Sequence, residues 1–140
     1  MRETVFRGKA RHGFVYGSLI NAENFCCILQ AEERVHPLDY PYLDGDLGTI
    51  DGQATPVIPE TVGQYTGKTD KNGERIFEGD IVTGLFLFGL SVKAVVTFQD
   101  GAFGLEWYRG DVKTFNAFTS ICNVEYEVIG NVHDNPDLLK

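Results

Sequence analysis

The chain has 140 residues, 43% of them hydrophobic, with 20 acidic and 12 basic side chains for a net charge of −8. That length fits one domain rather than two independent enzymatic ones, and the ordinary apolar content excludes disordered and fibrous classes. No apolar run approaches the roughly twenty residues that span a bilayer, and residues 2–12 are no signal peptide, so a soluble cytoplasmic protein is expected.

The first twelve residues carry Arg2, Arg7, Lys9 and Arg11 against Glu3, a local +3 that leaves −11 for the remainder. Val5-Phe6-Arg7 and the run from Phe14 to Ile20 read as two strands, with His12-Gly13 near their turn and residues 4–9 paired with 14–20. The cations are read first as protection of a strand edge. The alternative makes Arg2, Arg7, Lys9 and Arg11 contacts to nucleic acid, with Tyr108 as a stacking surface. So acidic a body repels phosphate backbones, which puts that alternative second.

Phe25-Cys26-Cys27-Ile28-Leu29 fits a buried strand or one side of a short helix; the strand is favoured, and it would send the adjacent cysteines to opposite faces. Three cysteines, two of them adjacent, form no disulfide framework, which suits a reducing compartment. From Val35 to Gly67 there is no Lys or Arg, while Pro37, Pro41, Pro56 and Pro59 punctuate an acidic, loop-rich stretch. A calcium loop starting at Asp44 fails, because Gly48, Thr49 and Thr55 occupy positions that need an oxygen ligand, a glycine and a glutamate.

Two hairpins follow. Asn72-Gly73 suits a two-residue type I′ turn, which would pair Lys71 with Glu74 and Asp70 with Arg75. Asp100-Gly101 predicts a second one, with Phe98 facing Phe103, Val96 facing Leu105 and Ala94 facing Trp107 on a dry face. Thr97, Val95, Glu106, Lys93 and Tyr108 fall on the wet face. Between them, every residue from Gly84 to Leu90 is Gly, Leu or Phe, without alternation or polar protection. Continuation of a strand into the core would account for that run. The reading preferred here is a hairpin arm or protruding loop in which Leu85, Phe86, Leu87 and Phe88 are buried between subunits of a homo-oligomer. Residues 124–132 form a last strand, and Asn135-Pro136-Asp137 starts a short helical turn.

The segment YTGKTDKNGERIFEGDIV, Tyr65 to Val82, resembles the signature of the YopX family, small proteins encoded by bacteriophages and prophages. FRGK at Phe6–Lys9, DGAF at Asp100–Phe103 and EVIGNVHDNPDLL at Glu127–Leu139 are similar to other parts of that family, while residues 20–56 are poorly covered by the resemblance. Lys68 stands where an apolar residue is usual, which implies a more exposed position. The resemblance implies a mainly β fold built on a small SH3-like barrel, here over 63–140. An N-terminal strand extension over 1–34 and a loop-rich acidic insert over 35–62 would accompany it. It implies no activity, cofactor or partner. Gly79 and Asp80 have a structural reading, a turn that leads into the buried strand of Ile81-Val82.

Sites for chemistry are absent from the sequence. His12, His36 and His133 have no metal-ligand spacing with the cysteines, and there is no nucleophile elbow, P-loop or dinucleotide fingerprint. Glu78 with Asp80 and Glu125 with Glu127 read as solvated strand charges, not as an acid–base pair. The expectation is a non-enzymatic interaction module without metal or cofactor. It would self-associate or bind a phage or host protein.

Overall fold

Short alternating apolar runs separated by glycine-containing turns fold as antiparallel strands throughout the computed structural model. It describes residues 4–23, 25–30, 54–87, 90–118 and 126–139, with 22, 85–87, 90–92 and 109 as backbone only. The fold is mainly β, as the alternation predicts. The chain divides into two units, Glu3–Gln64 and Tyr65–Lys140.

In the first unit β1 (Phe6–Ala10), β2 (Gly13–Ala22), β3 (Phe25–Leu29), β4 (Ala54–Pro56) and the first half of β5 (Ile58–Thr69) form a sheet in the order β4-β3-β2-β1-β5. The pairing expected between the first two strands is present, running from Phe6↔Gly17 to Ala10↔Gly13. The turn lies one residue earlier than expected, at Arg11-His12, because neither takes positive φ and Gly13 supplies it at 123°. The first strand is also no edge: β1 lies between β2 and β5, which corrects the reading of its cations as edge protection.

Prolines 56 and 59 do not mark loop. Pro56 ends the edge strand β4, and Pro59 lies where the β1–β5 register shifts, the two places where a sheet tolerates a missing N–H. Thr61 fills that irregularity, donating its hydroxyl to the Ile58 carbonyl at 2.6 Å and accepting the Lys9 N–H at 2.8 Å. The loop-rich stretch expected over 35–62 therefore gives way to strands from Ala54 onward. Phe6, Ala10, Val15, Leu19, Cys26, Ile28, Val57 and Val62 make the core of this unit. Gly8 is required there, since a Cβ would come within 2.8 Å of Val57.

In the second unit the rest of β5 pairs with β6 (Arg75–Phe77). A five-stranded antiparallel sheet has the order β10-β9-β8-β7-β11, from β7 (Asp80–Leu87), β8 (Leu90–Gln99), β9 (Ala102–Arg109), β10 (Val112–Ala117) and β11 (Glu127–Asn131). The terminal helical turn is a 3-10 turn at Pro136–Leu139, started by Leu138 N–H donating to the Asn135 carbonyl. Ile76, Val82, Ala94, Val96, Leu105, Trp107, Phe118 and Tyr126 form the core. Ile76, Val96 and Leu105 are fully buried, each worth about 1.5–3 kcal/mol. Among the described residues no ladder joins β10 to β11, and no closed barrel is found.

The Asp100-Gly101 hairpin has the predicted register, Phe98↔Phe103 and Val96↔Leu105, with both turn residues at positive φ (50° and 80°). Its dry face has one exception. Phe98 is 51% exposed at the tip, in edge-on contact with Phe103. β10 was not anticipated from the sequence; Gly110 at φ 62° opens the two-residue turn that pairs Arg109 with Val112. Trp107 donates its ring N–H to Asn116 Oδ1 at 3.1 Å, tying β9 to β10 on the core side. Trp107→Phe is expected to cost about 1–2 kcal/mol, read as a lowered urea midpoint with unchanged slope.

Candidate functional site

The family-like segment from Tyr65 to Val82 is built around two carboxylates that hold backbone. Asp70 is buried, and its Oδ1 accepts the N–H groups of Asn72 at 2.8 Å and Glu74 at 2.9 Å. Its Oδ2 accepts the Val128 N–H at 3.1 Å, and the Lys71 N–H donates to the Tyr126 carbonyl beside it. One side chain thus shapes a turn and fastens it to β11. Burial alone would raise the Asp70 carboxyl, but the three N–H donors and Lys71 outweigh it and hold it below the ordinary carboxylate range.

This capping changes the hairpin. The register is Thr69↔Arg75, with Asp70 N–H bonded to the Glu74 carbonyl and Gly73 N–H to the Asp70 carbonyl. Gly73 has φ 83° while Asn72 has none of the positive φ that a type I′ turn demands. The expected Asp70–Arg75 pairing is corrected by one residue: a carboxylate that accepts the N–H groups two and four residues ahead favours a three-residue loop closed by glycine. Arg75 instead lies over the Tyr65 ring at 5.3 Å. Lys68 is exposed, as its departure from the family implied, with Nζ 5.7 Å from the Phe118 ring.

Asp80, 2% exposed, accepts the Phe77 N–H at 2.8 Å across a turn in which Gly79 has φ 93°. Thr66 donates to the Ile76 carbonyl at 2.8 Å. Ile76, Phe77, Ile81 and Val82 are all buried. The polar residues Thr66, Asp70 and Asp80 therefore all act on the scaffold.

The candidate nucleic-acid contacts are dispersed. Arg2 lies outside the described residues. Arg7 is 6% exposed with its guanidinium 4.6 Å from the Phe14 ring, Lys9 is half-buried, and Arg11 is exposed at the β1–β2 tip. Tyr108, 64% exposed, belongs to the other unit. Sequence reasoning missed Phe14 and Tyr16, which face Lys9 and Arg7 across the hairpin; pairing the cations across the two strands would have found them. Of the candidate oligomer residues, the backbone of Leu85–Leu87 closes β7 in register with Leu90–Val92, making the run a hairpin arm. Phe88 lies outside the described residues.

Cys26 and Cys27 are both buried and free, beside an open cavity of about 780 Å³ whose walls include Glu23, Phe25, Pro56 and Val57. Burial, with Cys26 adding to it, pushes the Cys27 thiol up, which disfavours the thiolate. Among the described residues no three His, Cys, Asp or Glu side chains gather as metal ligands. No helix there is long and apolar enough to cross a membrane.

The model of the YopX protein family matches residues 20–140. The chain belongs to the YopX family. The match includes the Tyr65–Val82 segment, DGAF at Asp100–Phe103 and the C-terminal segment; FRGK at Phe6–Lys9 lies outside it, and the match extends over residues 20–56, which the resemblance covered poorly. Among solved structures, protein EF1440 from Enterococcus faecalis is similar in fold, with a TM-score of 0.54 and 23% identity over 100% of both chains. No curated protein matches.

Proposed function

We propose that this YopX-family chain is a non-enzymatic interaction module, encoded by a phage or prophage and acting in the cytoplasm of the bacterial host. It self-associates or binds a phage or host protein. The observation that carries the reading is the use made of the family-like segment: Thr66, Asp70 and Asp80 direct their polar atoms at backbone groups. Carboxylates engaged in this way hold turns together. Function then belongs to surfaces that the segment supports, and the Leu85–Phe88 arm is the proposed contact between subunits.

The finer fold reading, an SH3-like barrel over 63–140, belongs to the same proposal. It is supported by Ile76 of β6 packing into the core that β7, β8 and β9 share. The test of function is light scattering over a concentration series, with Phe86→Ser/Phe88→Ser as the comparison. The double variant is expected to give a folded monomer where the parent assembles. A parent that is monomeric throughout contradicts self-association, and an unfolded variant places those residues in the core.

The nucleic-acid reading has one observation in its favour: half-buried Lys9 faces Phe14 across β1 and β2, with the exposed Tyr16 ring on the same face, a basic and aromatic grouping suited to stacked bases. Its test is a salt titration of binding to single-stranded DNA and RNA. Binding that weakens steeply with salt supports it, and no retention at low salt ends it.

A further inference from the structure

The two edges of the five-stranded sheet differ. At β11 the chain occupies its own edge: Val128 N–H bonds Asp70, Asn131 N–H bonds Asn135 Oδ1 at 3.3 Å, the Tyr126 carbonyl accepts Lys71 N–H, and a register shift interrupts the strand at Val128/Gly130. β10 has six consecutive regular pairs with β9, no proline and no bulge. Among the described residues it has no second neighbour. Natural sheets guard such edges with charge, proline or irregularity. The one cation on β10, Lys113, is drawn back onto Glu106 of its own sheet at 2.6 Å. Val112 at 65% and Tyr108 at 64% exposure flank the strand.

Backbone direction follows from the turns. The two-residue Gly110-Asp111 turn makes Arg109 and Val112 a hydrogen-bonded pair, and alternation then bonds Thr114 to Trp107 and Asn116 to Leu105. Lys113 and Phe115 consequently point N–H and C=O away from β9. The Asp100-Gly101 turn gives the same assignment through β9, since Gln99 and Ala102 are bonded and alternate residues of β9 face β10.

We propose that β10 is a self-pairing edge, and that its occupant is β10 of a second copy of this chain, antiparallel and centred on Thr114. The proposal rests on the self-association reading above and gives it a surface. In that register Lys113 exchanges backbone bonds with Phe115 of the second copy, Thr114 meets Thr114 and Val112 meets Asn116. No like charges oppose one another, a condition that matters for a chain of net charge −8. The Phe115 ring lies over Gly104, where a Cβ would be 2.7 Å away, so the ring is turned back onto β9 and leaves the outer backbone open. The β7–β8 arm ends at the same end of the sheet as the Gly110-Asp111 turn, because β8 begins at Leu90 and runs antiparallel to β9, which ends at Arg109. The arm and the edge can thus belong to one contact.

Amide hydrogen exchange on the full chain, at concentrations spanning the assembly midpoint found by light scattering, tests the proposal. The Lys113 and Phe115 amides are expected to slow by roughly tenfold or more on assembly, and Lys113→Pro, which removes an outward N–H without touching the β9 ladder, to give a monomer. Assembly with exchange at those two amides unchanged overturns the β10 contact and leaves self-association standing. A chain that stays monomeric overturns both. Slow exchange that is independent of concentration shows the edge covered by its own chain, and protection only with a foreign protein gives the edge a different occupant; each overturns the second-copy assignment. Because the exchange is read on the parent chain, the outcome stands even where the proline variant fails to fold.

Discussion

A chain lacking residues 1–12 is expected to lose the folded structure of its first unit, not merely some solubility. β1 pairs on both sides, with β2 from Phe6↔Gly17 to Ala10↔Gly13 and with β5 at Phe6↔Gln64, Arg7↔Gly63 and Lys9↔Ile58. Its removal severs two ladders and leaves β2 and β5 with facing rows of backbone groups. It also strips Phe6 and Ala10 from the small cluster around Ile28, and takes away the Lys9 N–H that Thr61 accepts. So small a core has little reserve, and the loss is about 5 kcal/mol or more, comparable to the whole stability of a small domain. Circular dichroism and thermal melting read the result directly. The truncated chain should lose strand signal and aggregate on warming; melting indistinguishable from the full chain would show that β1 is a dispensable tail.

Asp70→Ala should be the most damaging single substitution in the family-like segment. It removes the acceptor of three backbone N–H groups, one of which, from Val128, is 58 residues away in sequence. Hydrogen bonds to a charged acceptor contribute about 1.5–3 kcal/mol each, but the N–H groups of exposed Asn72 and Glu74 recover water when the carboxylate goes. A loss of about 3 kcal/mol follows, roughly 10 °C in Tm for a chain of this size. Asp70→Asn keeps one oxygen acceptor and should lose about half as much. The sign of the pH dependence follows from the lowered carboxyl. Because the folded pKa lies below the unfolded one, the contribution is fully present above the ordinary Asp value of about 3.9. It disappears as pH falls through the folded value. Denaturant titrations from neutral to strongly acidic pH should show that added acid sensitivity in the parent and its absence in Asp70→Asn. Equal acid sensitivity in both would contradict the capping role.

The two Asx-Gly turns show what could be read from residue order and what could not. At Asp100-Gly101 nothing competes for the backbone, so turn chemistry and the apolar alternation agree and the register follows. At Asn72-Gly73 the same dipeptide chemistry is overruled by a carboxylate two residues earlier, whose third bond depends on β11 arriving alongside. That tertiary contact has no local signature. β10 escaped notice because VKTFNA lacks clear alternation and gains its strand character from Trp107, Leu105 and Gly104 opposite. Pro56 and Pro59 looked like loop because their tolerance depends on an edge and a register shift that only the assembled sheet supplies. For the candidate surface, the cations of β1 were visible, and pairing them across the β1–β2 hairpin would have brought in their aromatic partners.

The central claim is that the carboxylates of the family-like segment serve the scaffold and leave function to the protein's surfaces. Carbon-13 titration of the Asp70 side-chain carboxyl in the intact chain tests it most directly. The account predicts a midpoint below the ordinary aspartate range, with the Val128, Asn72 and Glu74 amide shifts moving at the same pH. A midpoint at or above that range, with those amides unmoved, would mean a carboxyl free for acid–base work and would contradict it.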